Sequence, residues 1–322
     1  MDKKYVLITG ATGFIGSYVA QRLLTKEDYG IVAIVRKSSG YKNVDWLKKN
    51  GVILYEGNFY DEKLVNHIFE KLFIKFIIHC AALRGAGLGK PQDYYKVNVE
   101  GTKTLLDTAF KYGVDKFIFL STVGVFGTIP KELPARLTTS SSGDNLYHNS
   151  KILAEKMVQE SIKDGLNAFI IRPTIVYGKG DIGFPQTLVK LCKKRLLFLP
   201  KQDNRIHLLE VGKLAELIMQ LIETNTSKRT FIVADKYPVN LRELADLIHF
   251  HYYHSNYPLC MSLPDFAFRL LRKIFCLINN EKWLTRLSLI TKSWYFDISE
   301  TIEAVNYNPL KTKDNFIKCM DL

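Results

Sequence analysis

The most constraining feature of the sequence is a glycine-rich turn between a short apolar strand and a helix. The predicted strand over residues 5–9 leads directly into the run TGATGFIG, residues 9–16, and an amphipathic helix follows over residues 15–24. Glycines at this spacing let the chain turn tightly, approach a pyrophosphate closely and pack the helix against the strand. The helix N-terminus then offers free N–H groups to the phosphates. The pattern predicts a dinucleotide-binding turn whose candidate contacts are Gly10, Thr12, Gly13, Phe14, Ile15 and Gly16.

Short apolar segments alternate with longer helical patterns through the first half of the chain. Because such alternation is typical of parallel sheets with crossover helices, the sequence predicts an α/β fold with a Rossmann-type doubly wound parallel sheet. Nearly continuous apolar strands also suit a sheet that is covered on both faces. The predicted strands are residues 5–9, 31–35, 52–55, 76–80, 117–121 and 168–172, and the predicted helices are residues 15–24, 62–72, 94–112 and 147–162.

The alternation becomes less regular after Pro173, which indicates a second unit. A chain of 322 residues is long enough for one large or two modest domains. We expect residues 1–172 to form a nucleotide-binding domain to which residues 206–235 return. Residues 173–322 are expected to form a smaller, mainly helical substrate-binding region.

The end of the second predicted strand bears on the choice of cofactor. The residue that contacts the adenosine ribose is expected about 20 residues after the glycine turn, and here that position holds Arg36, followed by Lys37. An acidic residue would accept hydrogen bonds from both ribose hydroxyls, whereas two cations match a 2′-phosphate. The sequence therefore favours NADP over NAD. The alternative is that both residues are solvated surface cations and that NAD binds.

Tyr147, Lys151 and Thr122 form a candidate catalytic set. Tyr147 and Lys151 are four residues apart at the start of a predicted helix, so both side chains project from one face. A tyrosine with a pKa near ~10 is a poor acid or base at neutral pH unless a nearby cation stabilises its phenolate. Lys151 can supply that charge, and Thr122, at the end of the fifth predicted strand, can hydrogen-bond a substrate oxygen. The set predicts a proton-transfer site opposite a hydride donor.

These motifs belong to an ordered series that also includes strand-end and helix segments further along the chain. The series is TGATGFIG (9–16), HCAA (79–82), NVEGT (98–102), STVGVFG (121–127), YHNSK (147–151) and IRPTIVYGKGD (171–181). Over nearly its whole length the sequence resembles the extended short-chain dehydrogenase/reductases, also called the NAD(P)-dependent epimerase/dehydratase family. The last motif is most similar to the branch that contains 3β-hydroxysteroid dehydrogenases and dihydroflavonol reductases.

The resemblance implies further cofactor contacts and an assembly. Asn58 and Phe59 stand where the family often has Asp-Leu beside the adenine. Asn98 is expected to tie a helix to neighbouring strands, and a homodimer is implied through the helices that begin near Tyr94 and Tyr147. The remaining implied contacts follow the fourth and sixth predicted strands and are Ala81, Ala82, Leu83, Pro173, Thr174 and Ile175.

We expect an NAD(P)-dependent oxidoreductase that transfers hydride between nicotinamide and a secondary alcohol or ketone of a ring substrate. The alternative is a nucleotide-sugar epimerase or dehydratase that passes through a 4-keto intermediate. Two departures disfavour this alternative: a diphosphate-binding arginine is expected at Ile206, one residue after Arg205, and residues 286–299 lack an R-P-G-D-like segment. A remote alternative is a non-catalytic protein that senses the cofactor or binds nucleic acid.

The chain is strongly basic, with 45 Lys and Arg against 32 Asp and Glu and a net charge of +13. Such an excess suits an anionic ligand, nucleic acid or a membrane surface. Basic residues recur along the whole chain without a dense arm, so no nucleic-acid partner is expected. Residues 266–278 combine basic and bulky apolar residues. This pattern favours a core-facing helix. The alternatives are a lid over a pocket and an interfacial helix in peripheral contact with a membrane.

Cysteine and histidine usage gives the last expectations. The five cysteines are odd in number and scattered, with no CxxC pair, which is typical of free thiols in a cytoplasmic protein. The segment HFHYYH, residues 249–254, has no carboxylate to complete a ligand set, so no metal site is expected.

Overall fold

The computed structural model describes residues 4–85, 89–278 and 280–322. Its strands are Lys4–Thr9 (β1), Tyr29–Val35 (β2), Ile53–Glu56 (β3), Ile74–His79 (β4), Lys116–Leu120 (β5), Ala168–Pro173 (β6), Ile175–Tyr177 (β7), Leu199–Pro200 (β8), Arg205–Ile206 (β9), Leu208–Glu210 (β10), Thr230–Val233 (β11), Val239–Asn240 (β12) and Ser262–Leu263 (β13).

The α-helices alternate with the strands through the first half and predominate after residue 173. They are Phe14–Leu24 (α1), Tyr41–Lys49 (α2), Glu62–Lys71 (α3), Pro91–Tyr94 (α4), Gly101–Lys111 (α5), Leu146–Lys163 (α6), Phe184–Lys193 (α7), Val211–Glu223 (α8), Leu241–Tyr253 (α9), Asp265–Leu277 (α10), Glu281–Thr291 (α11), Ser299–Val305 (α12) and Thr312–Met320 (α13). A π-helical segment, Tyr95–Glu100, joins α4 to α5, and a 3₁₀ turn, Val123–Phe126, follows β5.

Seven of the strands form one sheet in the order β11-β6-β5-β4-β1-β2-β3, and every neighbouring pair is parallel. The chain proceeds outward from β1 in one direction and then returns to continue from β4 in the other. This order confirms the predicted doubly wound fold and puts its switch point between β1 and β4. In open α/β sheets, ligands bind outside the carboxyl ends of the strands at that point.

The sheet is buried on both faces because its central strands carry almost uninterrupted apolar runs. All five residues of β5 and all six of β6 are buried. One apolar core lies between the sheet and the helix pair α1 and α8, and a second lies between the sheet and helices α3, α5 and α6. A third core holds α7, α9 and α13 together with Trp294 and Phe296.

The six predicted strands agree with the structure to within two residues at each end, and three of the four predicted helices agree to within one residue. The helix predicted over 94–112 begins earlier, at Pro91, and its second turn is the π-helical segment. In the segment 206–235 that is expected to return to the nucleotide-binding domain, residues 206 and 208–210 belong to two very short strands, β9 and β10, outside the main sheet. Residues 230–233 pair with β6 and extend the main sheet.

Helix α10 contradicts the prediction that residues 266–278 form a core-facing helix. Phe268 is the only buried residue of this helix, whereas Phe266, Leu270, Ile274 and Leu277 are exposed. The sequence is misleading here because apolar residues occur on most of the circumference, so periodicity does not tell which face meets the core. Within the described ranges, no helix is long and apolar enough to cross a membrane.

Gly16 gives a test of how closely α1 packs on the glycine turn. A Cβ atom added at Gly16 would lie 2.1 Å from the carbonyl oxygen of Gly10, whereas one added at Gly40 meets nothing within 4 Å. We expect Gly16→Ala to lower the free energy of unfolding by about 2 kcal/mol, because the turn must move. Gly40→Ala is the matched control and should change it by less than about 1 kcal/mol. Urea denaturation measures both; equal effects would contradict the close packing.

Candidate active site at the carboxyl edge of the sheet

The glycine turn is in backbone contact with the segment that follows β4. Gly10 has a φ of 75°, and a Cβ atom at this position would lie 2.8 Å from the amide nitrogen of Ala81. The amide of Gly13 donates to the carbonyl of Gly10 at 2.9 Å, which closes the turn. Only glycine allows both the left-handed φ and the approach of two backbones. The turn after β1 and the chain after β4 thus form one wall at the switch point.

The first turn of α1 has the character of an anion site. Gly13 is its N-cap and provides no side-chain acceptor, and no acidic residue lies in the first turn. The first N–H groups of the helix are therefore available to a ligand, and the helix dipole favours a negative charge there. Phe14 and Ile15 pack partly into the molecule, while the Thr12 carbonyl accepts a hydrogen bond from the Asn43 side chain at 2.7 Å.

Arg36 and Lys37 are both exposed at the end of β2, but only one of them has a charged partner. The ammonium of Lys37 lies 3.8 Å from a carboxylate oxygen of Glu56. Among the described residues, Arg36 forms no ion pair; its backbone amide donates to the Ser39 hydroxyl at 3.1 Å. The cation available at this corner is therefore Arg36.

The residues after β3 pack against the end of β4 and the start of α5. Phe59 makes an edge contact with the buried His79 ring at 5.1 Å between centroids, and a Cβ at Gly101 would lie 2.3 Å from the Phe59 ring. Asn58 precedes it and is partly buried. These two residues lie on the same side of the switch point as Arg36, because β3 is the neighbour of β2.

Asn98 fastens the segment after β4 to helix α6. Its side-chain oxygen accepts from the Leu83 amide at 2.8 Å, and its side-chain nitrogen donates to the Leu83 carbonyl at 2.9 Å and to the Ser150 hydroxyl at 2.8 Å. Asn98 lies in the π-helical segment, a rare geometry that frequently marks functional sites. Ala81, Ala82 and Leu83 are thereby held in a fixed position beside the glycine turn.

Lys151 is buried at the centre of the site. Its side chain is 1% exposed, its ammonium donates to the Leu120 carbonyl at 2.7 Å, and it lies 3.9 Å from the centroid of the Phe119 ring. Burial lowers the pKa of Lys151 to about 7, and the Glu155 carboxylate opposes this shift. Because a charged ammonium is poorly solvated here, its proton is held far more weakly than that of a surface lysine.

Thr122 and Arg84 are the two side chains that act on Tyr147. The Thr122 hydroxyl oxygen accepts from the Gly124 amide at 3.0 Å. Burial raises the pKa of Tyr147 to about 12, while the charge of Arg84 and the Thr122 hydroxyl oppose the increase. Without a ligand, the tyrosine is therefore protonated at neutral pH.

Sequence reasoning missed Arg84 and the pair of Glu155 with Arg172. Arg84 is exposed, yet its charge acts on Tyr147. The Arg172 guanidinium forms a two-point ion pair with the Glu155 carboxylate: Nε donates to Oε1 at 3.0 Å and Nη2 donates to Oε2 at 2.7 Å. Both side chains are buried. The sequence signal for Glu155 is its spacing: it follows Lys151 by four residues, as Lys151 follows Tyr147, so all three lie on one face of the helix. Arg172 was visible as the one charge in a strand with an otherwise apolar pattern.

Two buried hydroxyls at the strand ends have no hydrogen-bond partner within the described part of the chain. They belong to Ser121, directly after β5, and Thr174, directly after β6. Pro173 ends β6, and Ile175 begins β7 and is partly buried. Polar atoms without partners are costly inside a protein, so these hydroxyls suit a ligand that carries hydrogen-bonding groups. Together with the uncapped helix and the glycine turn, they fit a bound nicotinamide dinucleotide.

The remaining candidates lie away from this cluster. Arg205 is exposed on β9, and Arg286 on α11 donates to the Thr187 hydroxyl at 3.3 Å. Across residues 4–85, 89–278 and 280–322, there is no group of three or more His, Cys, Asp or Glu side chains that could hold a metal ion. All five cysteines are free thiols.

Known sequences and structures resemble this chain over most of its length. A UDP-glucose 4-epimerase of Vibrio cholerae is 27% identical over 318 residues, which cover 96% of this chain and 92% of that protein. A UDP-glucose 4-epimerase of Mus musculus is 31% identical over 196 residues, 55% of this chain and 56% of that protein. The chain thus matches nearly all of the first relative but about half the length of the second.

Solved structures share the fold at low sequence identity. The UDP-glucose 4-epimerase of Thermotoga maritima with UDP-glucose superposes with a TM-score of 0.79 at 20% identity, over 98% of this chain and 97% of that one. The UDP-glucuronic acid 4-epimerase of Bacillus cereus in complex with NAD has a TM-score of 0.75 at 20% identity, over 98% and 97% of the two chains. The sequence profile of the NAD dependent epimerase/dehydratase family matches residues 6–234. The chain therefore belongs to the NAD dependent epimerase/dehydratase family.

Proposed function

We propose that this chain is a nucleotide-sugar epimerase or dehydratase that keeps its cofactor bound through the reaction. The observation that carries the proposal is the match to a UDP-glucose 4-epimerase over 96% of the chain, which includes the C-terminal region as well as the nucleotide-binding half. The expected ring-substrate oxidoreductase is less well supported than this alternative. In the proposal, residues 1–172 and 206–235 bind the cofactor, and the substrate binds against residues 173–322.

Tyr147, Thr122 and Lys151 would carry the chemistry on the substrate side. Bound NAD would accept a hydride from a secondary alcohol carbon of the sugar and return it later in the cycle. Tyr147 would remove the hydroxyl proton as the carbonyl forms, and Thr122 would hydrogen-bond the same oxygen. Lys151, fixed by the Leu120 carbonyl, would favour the phenolate of Tyr147 by its charge. In an epimerase, the tyrosine returns the proton after the other face of the ring has received the hydride.

The cofactor contacts of the proposal follow the carboxyl edge of the sheet. The amides of the turn from Gly10 to Gly16 would bind the pyrophosphate, and Asn58 and Phe59 would enclose the adenine. Residues 81–83 would back the central part of the dinucleotide. Pro173, Thr174 and Ile175 would face the nicotinamide, to which the unpartnered Thr174 hydroxyl is available.

We propose NAD as the resident cofactor, although the sequence favours NADP. The NADP prediction depends on two cations, and Lys37 already faces Glu56. This long contact between two largely exposed side chains puts a negative charge beside one of the two cations that a 2′-phosphate would need. An enzyme that returns its hydride within one cycle also has no need of an external reductant. NADP preference therefore stays a prediction, which titration of stripped protein with both cofactors tests directly.

A ring-substrate oxidoreductase is the second candidate because one diphosphate contact of the sugar-nucleotide enzymes is missing. The arginine expected there is replaced by Ile206, which is completely buried, and the neighbouring Arg205 is exposed on β9. Arg205 can meet a diphosphate only if the substrate lies on the outer side of that strand. The non-catalytic alternative is disfavoured because Tyr147, Thr122 and the buried Lys151 are all present, with Thr122 acting on the pKa of Tyr147.

The activity is tested with purified protein and no added cofactor. We offer UDP-glucose, UDP-N-acetylglucosamine, UDP-glucuronic acid and dTDP-glucose as substrates. We expect at least one of them to be converted into its epimer or its dehydrated 4-keto product, detected by chromatography of the sugar nucleotides. Tyr147→Phe should reduce turnover by at least about 10²-fold, because the proton acceptor is lost. Tyr237→Phe, an exposed tyrosine, is the matched control and should retain turnover. Absence of conversion together with steady NADPH oxidation by cyclic ketones would instead support the second candidate.

Lys151 should make stability depend on pH in the cofactor-free protein. Its pKa is about 7 in the folded state against 10.5 for an unperturbed lysine. Between these values the unfolded chain binds the extra proton, so the free energy of unfolding rises with pH. Relative to Lys151→Met, the wild type should gain about 2 kcal/mol between pH 7 and pH 9, measured by urea denaturation. Lys156→Met, an exposed lysine of the same helix, should keep the wild-type slope; parallel curves for wild type and Lys151→Met would exclude the buried titration.

A homodimer through α5 and α6 is also part of the proposal. The exposed apolar side chains on and beside these helices are Tyr95, Phe110, Leu146 and Leu153. We expect Leu153→Glu to convert a dimer into a monomer in sedimentation velocity, because it puts a charge into the interface. Phe73→Glu alters an exposed apolar residue on the loop before β4 and should leave the dimer intact. A wild-type monomer would contradict the assembly. Location in the cytoplasm stays a prediction.

A further inference from the structure

Helix α10 leaves a stripe of large apolar side chains uncovered. The exposed fractions are 65% for Phe266, 58% for Leu270, 44% for Ile274 and 83% for Leu277. At about 100° per residue, these four positions fall within roughly 80° of the helix circumference. The buried Phe268 is on the opposite side. The stripe therefore faces away from the rest of the chain.

Cations flank this stripe on one side. Lys273 is adjacent to it on the helix surface, and Arg269 and Arg272 follow around the circumference. No carboxylate in the described part of the chain forms an ion pair with any of these three residues. From Asp265 to Lys292 the chain carries six basic and two acidic residues. A net positive surface next to an apolar stripe is typical of helices that lie at a membrane interface.

A cavity between α10 and α11 gathers three of the cations. It has a volume of about 210 Å³, and Arg269, Arg272 and Lys292 line it together with the hydroxyls of Ser288 and Thr291. The one carboxylate there, Asp265, accepts a hydrogen bond from the Gln202 side chain at 2.6 Å. Phe268 also lines this cavity, so the cavity lies on the side of α10 opposite the stripe, where its cations add to the positive charge of the helix.

Helix α11 adds an aromatic residue of the kind found at the membrane–water boundary. Trp283 is partly exposed and stacks on Phe275 of α10 at 5.8 Å between ring centroids, and the Arg286 guanidinium lies 5.3 Å from the Trp283 ring. Tryptophan and cationic side chains are enriched at that depth because they combine an apolar body with a polar group.

We propose that α10 lies on an anionic lipid surface, with its apolar stripe among the acyl chains and the cations that flank it among the headgroup phosphates. The helix has 13 residues and is about 20 Å long, too short to span a bilayer core of about 30 Å, so it lies in the plane of the interface. A second copy of the chain is a poorer occupant, because two faces of the same positive charge would meet.

Vesicle sedimentation with the full chain tests the proposal. Wild-type protein should bind vesicles of phosphatidylcholine mixed with phosphatidylglycerol, bind pure phosphatidylcholine much more weakly, and be released by salt. Phe266→Glu should lower the partition coefficient by at least about tenfold, because an apolar anchor is lost and a like charge faces the lipid. Arg272→Gln should lower it by about fivefold on the anionic vesicles only.

Phe73→Glu is the matched control, since Phe73 is 57% exposed but lies before β4, in the nucleotide-binding half. It should bind vesicles as the wild type does. No binding of the wild type to anionic vesicles, or equal loss in Phe266→Glu and Phe73→Glu, would overturn the proposal. A dimer that Phe266→Glu dissociates would also overturn it, by assigning the face to a second copy. The proposed function is tested separately: Phe266→Glu should still turn over soluble sugar nucleotides, whether or not it binds vesicles.

Discussion

The buried ammonium of Lys151 is the constraint on which the rest of the candidate site depends. A charge in this position is unfavourable unless nearby groups compensate for lost water. The Leu120 carbonyl and the Phe119 ring do so at contact distance, and the Glu155 carboxylate does so from one turn further along α6. Glu155 in turn needs a counter-charge, because removal of one partner from a buried pair costs about 3–5 kcal/mol. Arg172 on β6 provides it.

These contacts connect the helix, strand and turn that surround the site. The Arg172 guanidinium lies 5.1 Å from the Phe126 ring, and Phe126 ends the 3₁₀ turn that begins directly after Thr122. Thr122 caps that turn and lowers the pKa of Tyr147, which lies one helical turn before Lys151. Each member is therefore positioned by its neighbour on a different element. A hydroxyl and a phenol held in this way are suited to act on one substrate oxygen without prior rearrangement.

The sequence predicted well those features that a local pattern determines. It predicted poorly the interactions between segments that are distant in the chain. The first six strands were predictable because each is a run of buried apolar residues, and the glycine turn was predictable because its geometry excludes other residues. The bond between Glu155 and Arg172 joins a helix to a strand and leaves no periodic signal. The resemblance implied a tie by Asn98, but its partners Leu83 and Ser150 and the π-helical segment that carries it are known only from the structure. The expected ring substrate is less well supported than the sugar-nucleotide alternative, because the branch comparison depended on one motif and a missing arginine.

Composition alone leaves several explanations for the net charge of +13. The structure separates the basic residues into those that pair with carboxylates and those that do not. Exposed lysines such as Lys49, Lys103 and Lys179 are paired with nearby carboxylates, so they contribute little to the long-range field. The cations of α10 lack such partners in the described chain and lie beside apolar side chains that would otherwise prefer burial. Solubility alone requires charge but no adjacent apolar stripe, whereas a lipid surface requires both. The position of the charge, more than its amount, therefore favours a peripheral contact on the helical C-terminal region, separate from the carboxyl edge where the candidate active site lies.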